Sequence, residues 1–180
     1  FVTGSVATSP FLLESFSGLI GSGIVGAVTA TTYSGPYSIS PATSYDYQGA
    51  GSAVFTLGGM TLGSGRKVRL EIAGGTPGAG YDQLQVNGPV DLGADAILEL
   101  SLSYLPAQGQ VFILVSNDGI DPVVGTFSGF PEGAAFKLSN HDFEISYVGG
   151  DGNDIVLTCV GLAKTWTGAV SNVWSVAGNW

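Results

Sequence analysis

The residues best suited to chemistry lie in one short stretch, Ser146 to Cys159, which reads SYVGGDGNDIVLTC. Within it, Gly149-Gly150-Asp151-Gly152-Asn153-Asp154-Ile155-Val156-Leu157 fits, position for position, the glycine/aspartate nonapeptide that winds calcium into parallel β-rolls. Asp151, Asn153 and Asp154 would offer two carboxylates and an amide oxygen, the hard donors that calcium selects. Calcium takes about six to eight oxygens, and the chain holds one copy of the motif, so a closed shell needs help from another loop. The same letters also spell a tight turn. Gly149, Gly150 and Gly152 permit positive φ, Asp151 and Asn153 cap the backbone, and Ile155 with Leu157 re-enters the core. The residue types favour the turn and leave calcium as the alternative to test.

Other polar groups point less clearly to chemistry. Asp91 and Asp95 flank a turn in VDLGADA, and Asp118 and Asp121 sit in NDGIDP. Glycosidases need two carboxylates about 5–9.5 Å apart, but Asp beside Gly and Pro is ordinary turn chemistry. His141, the single histidine, reads as an exposed loop residue leading into a strand, and no G-x-S-x-G elbow precedes a helix. One Cys and one His exclude a zinc site in practice. The glycine-rich GSGIVG and GAGSAVFTLGG lack the lysine and the strand–helix context of phosphate loops. Cys159, in IVLTCV, reads as a small buried hydrophobe, with an intermolecular disulfide as the alternative. Tyr33, Tyr37, Tyr45 and Tyr47 read as cross-strand pairs, or else as a platform stacking on sugar rings. No catalytic or cofactor-binding residue is assigned.

The elements that position these groups are strands. Val68, Leu70 and Ile72 alternate with Lys67, Arg69 and Glu71; Leu98, Leu100, Leu102 and Tyr104 alternate with Glu99, Ser101 and Ser103. Phe143, Ile145 and Tyr147 oppose Glu144 and Ser146 in the same way. The continuous apolar run Val111 to Val115 predicts a strand covered on both faces. Asn87-Gly88, Asp118-Gly119 and Asp151-Gly152 mark tight turns. No segment keeps helical spacing for three windings, although a short helix from Phe11 to Ile20 is an alternative to a glycine-rich strand pair. The fold class is therefore all-β: a stack of short strands, either elongated like a β-solenoid or sandwich-like, without significant helix.

Composition narrows the partners. Apolar residues form 44% of the 180, enough for a core, whereas charged residues form only 11%. The net charge of −9 argues against nucleic acid and against anionic lipid surfaces. The run LLESFSGLIGSGIVGAV is interrupted by Glu14, Ser and Gly and is too broken for a membrane helix. Three parts follow: residues 1–51, an extended β segment suited to edge cover or assembly; residues 52–161, the all-β core; and residues 162–180, a Trp-rich tail or the start of a following repeat.

Three stretches carry a resemblance: YDQLQVNGPVDLGADAILELSL, GQVFILVSNDGIDPVVGTFSGFPEGAAF and FEISYVGGDGNDIVLT. Together with TWTGAVSNVWSVAGNW, residues 57–180 resemble the autotransporter-associated β-strand repeat proteins, long bacterial surface proteins of β-helix type. The resemblance implies export, an elongated β fold and a structural or adhesive role without catalysis. It departs in length, since such chains carry many repeats and this one holds barely one. The expectation is a non-catalytic structural protein of the bacterial surface, extracellular, whose partners are copies of itself. The alternatives are a glycan- or host-binding adhesin module and, third, an enzyme acting on polysaccharide. No cofactor is expected beyond calcium at Asp151, Asn153 and Asp154.

Overall fold

The computed structural model of the chain describes residues 1–6, 9–14, 17–32, 38–43, 51–162 and 168–179. It is all-β, with one three-residue 3-10 turn at Ala177–Asn179 and no α-helix among the described residues. The strands come in threes. The first winding holds β1 (Ser5–Val6), β2 (Phe11–Leu13) and β3 (Leu19–Gly21); the second holds β4 (Ile24–Val25), β5 (Val28–Ala30) and β6 (Ser38–Pro41). The third holds β7 (Val54–Leu57), β8 (Met60–Leu62) and β9 (Lys67–Ile72), and the fourth β10 (Gln83–Val86), β11 (Val90–Asp91) and β12 (Ile97–Leu102). A longer strand, β13 (Val111–Asn117), opens the next. From β1 to β10, each strand pairs in parallel with the one three places on, which produces three parallel runs: β1-β4-β7-β10-β13, β2-β5-β8-β11 and β3-β6-β9-β12. Pairing every third strand describes a three-sided coil rather than two facing sheets. Residues 1–51 supply its first two windings, continuous in all three sheets with the third.

Parallel pairing in register stacks like on like. Leu19, Ile39, Val68 and Leu98 form one inward row through four windings, and all four are buried. Burying about 25 cal/mol of stabilisation per Å² of apolar surface, such rows tie each winding to the next. The outward residues between them are polar: Lys67 and Arg69 both reach Glu99 across the β9–β12 pair, at 2.6 and 2.8 Å. Corners are made by glycine. Gly93, at φ 61°, lies so close to the Leu62 carbonyl of the winding before that a Cβ would strike it.

The C-terminal end changes character. β14 (Ala135–Leu138), β15 (His141–Gly149) and β16 (Asp154–Leu162) run antiparallel, and β16 takes the outer edge of β13. Tyr81, Phe112, Phe143, Phe136 and Phe130 pack ring against ring beneath the last winding, with centroids 4.8–6.4 Å apart.

Several expectations need correcting. Val111–Val115 is not covered on both faces: Val111 is 50% exposed and Ile113 half-buried. A bulge against β16 turns both Leu114 and Val115 inward, which accounts for two adjacent apolar residues there. His141 is not an exposed loop residue but a buried one at the start of β15. Of the three turn dipeptides, Asp151-Gly152 closes a hairpin, whereas Asn87-Gly88 and Asp118-Gly119 lie where the chain leaves the first sheet. The segment from Phe11 to Ile20 contains strand β2 and the start of β3. Tyr33, Tyr37, Tyr45, Tyr47, Trp166 and Trp180 lie outside the described residues.

Candidate functional site

The Gly/Asp motif is the hairpin between β15 and β16. Gly149 pairs with Asp154, Gly152 N–H donates to the Gly149 carbonyl at 2.8 Å, and Gly150 and Gly152 take φ of 59° and 120°. The glycines are needed there, since a Cβ at Gly150 would collide with the Asp154 carboxylate. Of the three candidate calcium ligands, Asp151 faces solvent while Asn153 and Asp154 are buried. Asp154 Oδ1 accepts the Asn117 backbone N–H at 2.9 Å. Burial raises the Asp154 pKa, opposed by that hydrogen bond, and the nearby Asp151 charge adds to the rise. Asn153 Nδ2 reaches away from the hairpin and donates to the Asp118 and Asp121 carbonyls, both at 3.1 Å.

The hairpin is thereby joined to the loop after β13, and the residue that joins them is one the motif did not include. Asn117 lies in the inward row whose other members are Val25, Leu57 and Val86. An apolar side chain is expected in such a row; instead a buried carboxamide stands there, donating through Nδ2 to the Asp121 carbonyl at 2.8 Å. Three buried side-chain oxygens of these hydrogen-bonded residues have no hydrogen-bond partner: Asn117 Oδ1, Asp121 Oδ2 and Asn153 Oδ1. The structure thus brings Asn153 and Asp154 together with Asn117 and Asp121 and leaves Asp151 outside. Among the described residues, no three His, Cys, Asp or Glu side chains are grouped to hold a metal.

Most other polar groups singled out are used by the backbone. Asp91 accepts from Gly93 N–H at 2.8 Å, and Asp95 accepts from Ser64 Oγ at 3.3 Å. Tyr147 donates its hydroxyl proton to the Phe130 carbonyl at 2.7 Å, and burial pushes its pKa up to about 12. Asp82, fully buried, accepts Ala53 N–H at 2.9 Å and Glu71 N–H at 2.8 Å; burial lifts its pKa to about 7 against the pull of those donors. Arg66, also fully buried, donates to the carbonyls of Ser17 (2.6 Å), Leu13 (3.0 Å), Thr31 (3.0 Å) and Glu14 (3.2 Å). Cys159 is buried on β16 as a small apolar residue.

No protein-family model matches the chain, and neither a curated protein nor a solved structure matches it. What fold and site define is a class: an all-β coil of parallel strands closed by an antiparallel layer, with a polar cluster at the junction of the two.

Proposed function

We propose that this chain is a non-catalytic structural protein of the bacterial surface, exported and assembling with copies of itself by β-strand pairing into an extracellular filament, stalk or coat. The observation that carries this reading is the difference between the two ends of the coil. At one end, β16 fills the edge of β13. At the other, β1 pairs with β4, β2 with β5 and β3 with β6, and among the described residues only Val2 adds to an outer edge, at Gly21. Parallel strands paired on one side present backbone donors and acceptors to any further strand. The resemblance of residues 57–180 to autotransporter-associated repeat proteins supports the surface location, and the 11% charged fraction is compatible with close packing of copies.

The test targets the edge itself. Phe11 N–H and the Leu13 carbonyl both turn toward β5, bonding to Ala27 and Thr31, so the Leu12 backbone between them faces the free side. Leu12→Pro removes that N–H while sparing the bonds to β5. Sedimentation velocity and negative-stain microscopy of the wild type are expected to show filaments that Leu12→Pro breaks down into dimers. A wild type that stays monomeric at high concentration refutes the proposal and brings the adhesin reading forward.

A further inference from the structure

We propose that the junction of β13, the loop at residues 118–121 and the β15–β16 hairpin is a binding site for a calcium-like divalent cation, held by Asn117 Oδ1, Asp121 Oδ2 and Asn153 Oδ1. The inference is independent of assembly and rests on three buried oxygens that the protein leaves without a donor. Buried polar atoms are nearly always satisfied, so three orphans in one place call for an occupant.

The orientation of both amides is fixed. Asn117 Nδ2 and Asn153 Nδ2 donate to the same acceptor, the Asp121 carbonyl, at 2.8 and 3.1 Å, and Asn153 Nδ2 also reaches the Asp118 carbonyl. Flipping either amide would set oxygen against oxygen. The two amides thus meet on the backbone of the residue whose own carboxylate supplies the third oxygen. That carboxylate folds back over the loop, since a Cβ at Gly119 would sit 3.5 Å from Asp121 Oδ1.

A water molecule is the plain alternative occupant. It carries two protons, however, and these residues leave three acceptors; a cation shared among them would satisfy all three. The local charge has the right sign, with buried Asp154 beside Asn117 and the ion pairs of Lys67, Arg69 and Lys137 all made elsewhere. Amide and carboxylate oxygens without nitrogen or sulfur select a hard cation, and calcium accepts such mixed shells completed by water. Because two of the three donors are amides, no cluster of acidic side chains marks the place. Its ligands come from β13, the loop and the hairpin, so an ion there would fasten the antiparallel layer to the last winding.

The experiment uses the full chain, stripped with chelator and titrated with calcium chloride by calorimetry, with thermal melts alongside. One site of roughly 10⁻⁴–10⁻³ M is expected, the range of extracellular calcium modules. At tenfold excess over the dissociation constant the melting midpoint should rise by about 2–6 °C. Asp121→Asn should weaken binding at least about tenfold, since it removes the one charge in direct contact. Asp151→Asn, in the exposed part of the hairpin, should change it less than about threefold. Absence of both heat and stabilisation in the wild type overturns the proposal in favour of water. Equal damage from Asp151→Asn moves the ion to the hairpin turn and overturns the ligand assignment. Should Asp121→Asn fail to fold, hydrogen exchange of the wild type decides: calcium must slow the amides around 117–121 and 153–154, and protection elsewhere or nowhere refutes the site.

Discussion

Replacing Arg66 by Met should loosen the first two windings without disturbing the C-terminal half. The guanidinium lies wholly inside the protein and donates to carbonyls at the end of β2 and in the loop after it, and to Thr31 after β5. One residue of the third winding thereby fastens the two before it. Replacing a buried ion pair by an apolar residue is often harmless, because both charges leave together. Here the partners are backbone carbonyls, which stay behind. The Leu13 bond is fully buried, but the Leu13 carbonyl keeps the Thr31 N–H at 2.9 Å and the Thr31 hydroxyl at 3.2 Å, so its loss costs only an ordinary bond, about 0.5–1.5 kcal/mol. The bonds to Ser17, Glu14 and Thr31 are only partly buried, and water can replace them at about 0.5–1 kcal/mol each. The total, about 2–4 kcal/mol, is a large share of the roughly 5–15 kcal/mol that holds a domain folded. Urea denaturation with native-state hydrogen exchange reads it directly. Amides of Val28 and Thr31 should exchange at least about twentyfold faster, at 1.4 kcal/mol per decade, while those of β15 and β16 keep their rates. Arg66→Lys, with three donors on a single nitrogen, should fall between. Unchanged exchange in the first two windings of Arg66→Met would refute the reasoning.

Asp82 makes stability depend on pH. Its folded pKa of about 7 lies above the ordinary 3.8, so the contribution is complete below about pH 4 and disappears as pH rises through 7; at 1.4 kcal/mol per unit it amounts to at most about 4 kcal/mol. The stability of wild type minus Asp82→Asn, measured by urea midpoints from pH 4 to 8, should therefore shrink as pH rises, and a flat or opposite slope sinks the assignment. Gly93→Ala should cost about 2–4 kcal/mol, combining positive φ with the clash at the Leu62 carbonyl, whereas Gly129→Ala, at φ 81° in open space, should cost only about 1–2 kcal/mol. Equal losses for the two would show that the corner is not tightly stacked.

How much of this was legible depends on how far each feature is written in neighbouring letters. The alternation in Lys67–Ile72 and in His141–Gly149 is local, and both strands fall where it places them, with the expected faces inward. The coil is not local. Val68-Arg69-Leu70-Glu71-Ile72 lies in register with Leu98-Glu99-Leu100-Ser101-Leu102, and Leu62-Gly63 matches Leu92-Gly93, a 30-residue repeat present in the sequence. It is hidden because the connections after β9 and β12 differ, and because one extra residue at Pro89 shifts the first sheet against the second. Strands β1 to β5, two or three residues long, are too short to show any period. Arg66 and Asp82 answer to backbone groups, which leave no signature in side-chain letters. Asn117 was readable only afterwards, as the polar member of an apolar row. The hairpin at Asp151-Gly152 was legible from its turn chemistry alone.

The two ends of the coil also decide what kind of assembly strand pairing can make. An incoming strand at the C-terminal end would have to displace β16, which is bonded to β13 from Val111–Thr158 through Val115–Ile155 and backed by the aromatic cluster. At the N-terminal end nothing of that kind stands in the way among the described residues. Contact between two N-terminal ends is self-complementary, and a self-complementary contact closes as a dimer. A filament therefore needs a second contact, and the tail offers one: Val170 is 65% exposed and Val173 50%. Val170 and Val173 lie three residues apart, apolar surface that a second copy would cover. Deleting residues 166–180 should accordingly convert filaments into dimers, and Leu12→Pro should convert them into a different dimer joined through tails; the double variant should be monomeric. Sedimentation velocity distinguishes the three outcomes. Filaments that survive loss of the tail would mean that β16 is displaced after all, and that the coil grows through its own ends.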